Sequence, residues 1–240
     1  MSKVACVTGA DYGLGLELSA GLLERGYKVF AGRYCLEDGE GLTALKSRYG
    51  EQLLTVHMDV SDDASVSSAA DWIKERTETI DVLINNAAKL GDIQQTIFGE
   101  PRFQEMLDVY NVNAVGPLRV AHALIQPHLR SETKLIMNIS SEAGSIGDCW
   151  RTNWFAYAMS KAALNMETAL LHKELEPLGT SVISVHPGWV RTYMQGKLDE
   201  AATYTSAEAA SHILNLAERP DLYKSETPLF VDLLGNPLPW

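Results

Sequence analysis

Tyr157 and Lys161 stand four residues apart in the stretch YAMSK, which runs on through AALNMETALLHKEL in a helical pattern. In an α-helix, positions i and i+4 lie one above the other on the same face, so the phenol and the ammonium can approach one another. A free phenol, with a pKa of about 10, is a sluggish proton carrier near neutrality and needs a partner. Unit charges ~4 Å apart at an effective dielectric of about 20 interact by roughly 4 kcal/mol. At about 1.4 kcal/mol per pKa unit, the lysine can therefore lower the phenol by up to about three units, less whatever desolvation takes back. The spacing alone also fits a snorkelling lysine beside a half-buried ring. The surroundings must decide between the two.

The elements that would position this pair alternate along the chain. Short β-rich runs, KVACVTG, YKVFAG, LLTVHMDV, DVLINNA, KLIMNISS, SVISVHPG and PLFVDLLG, are separated by helical patterns. Helices are expected near 13–25, 42–49, 64–77, 103–129, from YAMSK onward, and near 206–217. Such alternation predicts an α/β fold, a doubly wound parallel sheet of about seven strands with helices on both faces. VLINNA and LIMNIS are apolar on consecutive residues, as strands covered on both sides should be. Ligands of such sheets sit at the C-terminal ends of the strands.

At the first strand end, TGADYGLGLE places Gly9, Gly13 and Gly15 ahead of a helix. Glycines there let the backbone approach a ligand, and a helix N-terminus offers free N–H groups to a pyrophosphate. The spacing is not that of the general G-x-G-x-x-G fingerprint. At the second strand end stands Arg33, with no acid over Val29–Arg33. An acid in this neighbourhood holds a ribose 2′-hydroxyl, whereas an arginine accepts a 2′-phosphate, so NADP(H) is expected over NAD(H). Asp59, after the third strand, suits either an adenine contact or a cap for the next helix, a role for which Ser61, Asp62 and Asp63 compete. Asn85 and Asn86 at the fourth strand end need partners that a turn or a ligand can supply.

At 240 residues and 46% apolar composition, the chain can bury one sizeable core. No linker-like stretch divides it, so a single domain over 1–240 is expected. A formal charge of −11 and a pI near 5.0 disfavour nucleic acid and anionic membrane as partners. No window offers the roughly 18 apolar residues of a membrane helix, and a cytoplasmic protein is the expectation. Cys6, Cys35 and Cys149 match neither a disulfide framework nor a metal site.

Along nearly its whole length the chain resembles the short-chain dehydrogenase/reductase family. The matching pieces are TGADYGLG, the DV of Asp59 and Val60, NNAA, NVNAVGP with Asn113, NISS ending at Ser141, YAMSK, and HPGWVRT. SSEAGSIG, YAMSKAALNM, HPGWVRTYM and DLLGNPLPW are similar to sniffer-type carbonyl reductases and the related bacterial C-factor proteins. The resemblance implies a Rossmann fold and an NADPH-dependent reduction of a ketone or aldehyde, with a small-molecule carbonyl or alcohol as partner. It implies catalytic roles for Asn113, Ser141, Tyr157 and Lys161, with Tyr157 as acid, Ser141 as donor to the substrate oxygen, and Lys161 beside the phenol. Cofactor contacts would come from Gly9, Asp11, Tyr12, Gly13, Leu14, Gly15, Arg33, Asp59, Val60, Asn86, Ala87 and Ala88. Tyr157, Lys161, Pro187, Gly188, Val190 and Thr192 would complete them, with no metal. Three positions depart from the family pattern: Ala88 for the usual Gly, Tyr193 where T-D-M is common, and Tyr12 where many NADP-dependent members carry a basic residue.

Trp150, Trp154, Phe155, Trp189, Tyr193 and Met194 suit an apolar or aromatic substrate, or ordinary core packing. Family members are monomers, dimers or tetramers. A non-catalytic NADP(H) sensor would be expected to lack Tyr157, Lys161 or Ser141. A nucleotide-sugar epimerase or dehydratase would need a further substrate domain.

Overall fold

In the computed structural model, which describes residues 2–240, the chain forms one seven-stranded, all-parallel sheet ordered β3-β2-β1-β4-β5-β6-β9. The strands are β1 (Val4–Thr8), β2 (Lys28–Arg33), β3 (Leu53–His57), β4 (Val82–Asn85), β5 (Leu135–Ile139), β6 (Ser181–His186) and β9 (Leu229–Asp232). A small parallel pair, β7 (Val190–Arg191) with β8 (Tyr204–Thr205), lies apart from it; neither that pair nor the short helix α8 (Pro220–Tyr223) has a sequence signal strong enough to predict it. The order reverses at β1, which β2 and β4 flank. In sheets of this kind the ligand crevice lies at such a switch point, outside the carboxyl ends of the strands.

The helices are α1 (Gly13–Glu24), α2 (Glu40–Tyr49), α3 (Asp63–Lys74), α4 (Phe103–Tyr110), α5 (Gly116–Leu129), α6 (Phe155–Leu175) and α7 (Ser206–Ala217). Each strand buries alternate residues on opposite faces, which is why its sequence reads as a continuous apolar run. Ala5, Val7, Ile84 and Met137 pack with Leu18 of α1 and Ile213 of α7 on one face. Cys6, Leu83 and Ile136 pack with Ile73 of α3 and Leu124 of α5 on the other.

One expectation fails in an instructive way. The helix expected over 103–129 is broken by a π-helical turn at Asn111–Val115, where the Gly116 N–H closes on the Asn111 carbonyl. Pro117 follows at once. It has no N–H for the carbonyl four residues back, that of Asn113, and its ring presses on that carbonyl. The ladder widens by one residue, as π turns do at functional sites.

Candidate active site

A buried polar chain under β4, β5 and β6 sets the position of α6. Asn85 Nδ2 donates to Asn138 Oδ1 at 2.8 Å, Asn138 Nδ2 to Thr168 Oγ1 at 2.9 Å, and Ser184 Oγ to the same hydroxyl at 2.8 Å. Ser140 Oγ donates to Asn165 Oδ1 at 2.7 Å. These groups are sealed from water, so each bond lost would strand a partner, and the helix cannot rotate cheaply.

With α6 so fixed, Tyr157 and Lys161 face the same side, the lysine Nζ 5.6 Å from the centroid of the tyrosine ring. Lys161 is only 2% exposed, and its amine donates to the carbonyl of Ile139, the last residue of β5, at 2.8 Å. Two residues further on, the Ser141 hydroxyl stands close enough to the phenol to lower it. Ser141 Oγ also accepts from Ala143 N at 3.1 Å, opening a short turn over Glu142–Gly144. Asn113 is fully buried and braced on three sides. Its Oδ1 accepts from Lys89 N at 2.7 Å, and its Nδ2 donates to Lys89 O at 2.8 Å and to Ser160 Oγ at 2.9 Å. Its side chain is thus a brace.

The electrostatics correct the sequence reading. The phenol is not lowered by its lysine but pushed up to about 12. Burial is the chief cause, Ser141 and Arg151 oppose it, and Glu142 adds to it. Lys161 is itself pulled down to about 7 by burial, against the attraction of Glu167. An amine that has half lost its charge is a weak stabiliser of phenolate, so desolvation outweighs the pair attraction.

The glycine turn after β1 packs as tightly as a phosphate cradle requires. Gly9 has φ +64, and a methyl group built on it would stand 2.8 Å from Ala87 Cα. One built on Gly15 would stand 2.5 Å from Asn86 Nδ2 and collide with the Gly9 carbonyl. One built on Gly13 would lie 3.6 Å from Thr192 Cγ2, so the first turn and the segment after β7 are neighbours. Helix α1 starts at Gly13 with no side-chain cap from Tyr12 and no acid in its first turn, leaving N–H groups and partial positive charge for an anion. Leu14 turns its side chain into the core, so what it can offer is its backbone. These residues fit a dinucleotide.

Other expected contacts are already engaged. Asn86 donates to the Thr8 and Gly9 carbonyls at 2.9 and 3.1 Å, while Thr8 Oγ1 accepts from Asn86 N and Ala87 N. Asn86 is therefore a fastener of the glycine turn. Asp11 accepts from Tyr34 N and Cys35 N, both at 2.8 Å, joining the loops after β1 and β2. Arg33 Nε donates to Asp38 Oδ1 at 2.7 Å, an acid just beyond the window in which the sequence shows none. Asp59 Oδ1 accepts from Ser61, and the cap of α3 is Asp62, which accepts from Ser65 N at 2.6 Å. Val60 packs beneath Gly116 and gives its carbonyl to Arg119. Ala88 is half-buried beside Ala87 after β4. Pro187 and Gly188 turn the chain after β6 toward Val190 and Thr192.

A model of the short chain dehydrogenase family matches residues 3–203. The chain belongs to this family. The C-signal protein of Myxococcus xanthus is 32% identical over 164 residues, 68% of this chain and 95% of the relative. An oxidoreductase of Schizosaccharomyces pombe is 31% identical over 97% of this chain and 91% of its own. Among solved structures, the NADPH-bound carbonyl reductase from chicken fatty liver superposes with a TM-score of 0.88 at 30% identity, covering 100% of this chain and 99% of its own. Sniffer carbonyl reductase of Drosophila melanogaster gives 0.87 at 26%, with both chains fully covered. As a short-chain dehydrogenase, the chain is an oxidoreductase with a Rossmann fold.

Several side chains at this site carry no signal in the sequence. Ser160 joins Asn113 to the Tyr157 carbonyl, to which its hydroxyl donates at 2.7 Å. Glu142, Arg151 and Glu167 are charged neighbours of the phenol or the amine. Among the described residues, no helix is long and apolar enough to cross a membrane, and no group of three or more His, Cys, Asp or Glu is placed to hold a metal ion.

Proposed function

We propose that this chain reduces a ketone or aldehyde with NADPH, and that Tyr157 gives the proton to the carbonyl oxygen. The observation that carries this reading is a phenol held protonated at neutral pH, with Ser141 beside it and Lys161 on the same helix face. When bound, the reduced coenzyme supplies the hydride. Ser141 donates to the substrate oxygen, which gains charge as the carbon is reduced, so a fixed donor favours the transition state over the ground state. Tyr157 then passes its proton to that oxygen and regains one from solvent. A phenol pushed up to about 12 is protonated at neutral pH and so is in the form that a proton donor needs; alcohol oxidation, which uses the phenolate, should become faster as pH rises.

NADP(H) as coenzyme is supported by Arg33 at the end of β2 and by the coenzyme bound in the chicken structure. The 2′-phosphate would compete with Asp38 for the Arg33 guanidinium. An apolar or aromatic substrate is supported by Trp150, Trp189 and Tyr193, each more than half exposed. At that exposure they are not core. A cavity of about 440 Å³ between Trp189 and residues 195–201 is lined by none of the proposed catalytic set.

The test is Tyr157→Phe, assayed for NADPH oxidation against hydrophobic ketones and aldehydes. Turnover should vanish while NADPH binding, followed by fluorescence titration, stays within about twofold, since the ring and its burial remain. Retained turnover would refute the acid role, and NADH bound as tightly as NADPH would refute the coenzyme choice.

A further inference from the structure

The loop between Ser141 and α6 leaves the active site and returns to it, and a single ion pair closes its neck. Arg151 Nη1 and Nη2 donate to the two oxygens of Glu142, both at 2.6 Å, in the parallel fork that only a guanidinium can make. The Arg151 side chain is 11% exposed. Its guanidinium carbon lies 4.3 Å from the Trp150 ring and 4.8 Å from the Trp154 ring, contacts in which a cation is attracted to the ring face.

Trp154 is the second link. It holds a left-handed backbone, φ 68 and ψ 26, immediately before α6. Such a conformation is strained for a bulky residue and persists only when the surroundings dictate it. Its carbonyl accepts the first helical bond of α6, from Ala158 N at 2.8 Å. Its ring meets Tyr157 edge to face, centroids 6.0 Å apart. Contacts therefore run from Ser141 through Glu142, Arg151 and Trp154 to the phenol.

We propose that the Glu142–Arg151 pair positions the proton donor, tying the segment after Ser141 to the entry of α6 and seating Trp154 against Tyr157. This rests on the catalytic reading of Tyr157. Both charges also act on the phenol, in opposite directions: Glu142 raises it and Arg151 lowers it. The other groups facing the phenol are Ser141 after β5 and Lys161 on its own helix. His186 of β6 faces the pair itself, with Asp232 of β9 behind it.

The pH dependence of alcohol oxidation with NADP+ bound, whose cationic ring would bring the phenolate limb down into the measurable range, separates a positioning role from a merely structural one. Glu142→Gln leaves an unpartnered cation near the phenol and should move the acidic limb of kcat down by about one pH unit; Arg151→Gln leaves an anion and should move it up by a similar amount. Both should lower kcat at least tenfold with the Kd for NADPH changed less than about twofold. Arg151→Lys keeps the charge without the fork, so it should hold the wild-type limb with a lowered kcat. Should a lone charge prevent folding, the neutral Glu142→Gln/Arg151→Gln double variant should show the wild-type limb and a lowered kcat. Unmoved limbs in both single variants, shifts in the same direction, or wild-type kcat in the double variant would overturn the proposal. Turnover by Tyr157→Phe would overturn instead the reading beneath it.

Discussion

Burial, more than charge pairing, decides ionisation along α6. Glu167 is half-buried, and its Oε1 is sealed from water with no hydrogen-bond partner. Burial pushes its carboxyl up to about 8, with Lys161 opposing. Between about 4.5 and 8 the folded protein therefore holds a proton that the unfolded chain has released, so raising pH through that window costs stability. Lys161 acts in the opposite sense. The folded amine loses its proton near 7, against 10.5 in the open chain, and stability grows as pH rises between the two. Glu167→Gln removes the first effect and mimics the protonated acid. It should stabilise the protein by ~1–2 kcal/mol at pH 8, well below the full equivalent of about 1.4 kcal/mol per unit, and by nothing near pH 4. Urea melts at the two pH values check this; equal stabilisation at both would show that the carboxyl is not the source. The pair Tyr157–Lys161 is legible from its spacing because a helix fixes where side chains four apart must go. The sign of its electrostatics is not, since spacing says nothing about how much water reaches the two groups. Nor does any local pattern join Glu142 to Arg151, whose meeting depends on how a loop returns.

At the scale of elements, what can be read is whatever backbone chemistry enforces. Helix α7 begins where expected, at Ser206, because Thr205 and Glu208 form a complete capping box. Helix α3 is capped by an acid, Asp62, because three adjacent candidates compete and geometry selects one. The π turn escapes a reading of apolar periodicity, which it barely disturbs, although Pro117 announces it to a reading of donors and acceptors. The glycine turn is the element most exposed to test. Gly15→Ala places a methyl group against the Gly9 carbonyl and the Asn86 amide, both backed by strands. It should destabilise the protein by about 1–3 kcal/mol and abolish coenzyme binding. Thermal melting and a NADPH titration would show both, and an unchanged titration would mean that the turn does not approach the coenzyme.

At the scale of the molecule, the doubly wound sheet was legible because its strands are buried on both faces and so must read as unbroken apolar runs. The final strand, expected in PLFVDLLG, is the outer partner of β6. Phe230 in β9 is 2% exposed and packs on Trp240, ring centroids 5.6 Å apart. Leu238 N and Asp232 N bond back across the turn that follows β9, to Phe230 O and Asn236 O. The far edge of the sheet is therefore closed by the last part of the chain. Phe230→Ala should cost ~3–5 kcal/mol in chemical unfolding, and a loss under about 1 kcal/mol would mean that this edge unfolds separately from the rest.

That closure has a cost during synthesis. Strand β6, SVISVH, carries no Lys, Arg, Asp or Glu to repel a stranger, and the residues that pair with its outer side begin only at Leu229. At ribosomal speeds of about 5–20 residues per second, the intervening segment takes on the order of seconds to emerge. Throughout that interval a nascent chain offers an uncovered, adhesive ladder to its neighbours on the same polysome, the stage at which edge-to-edge misassembly is favoured.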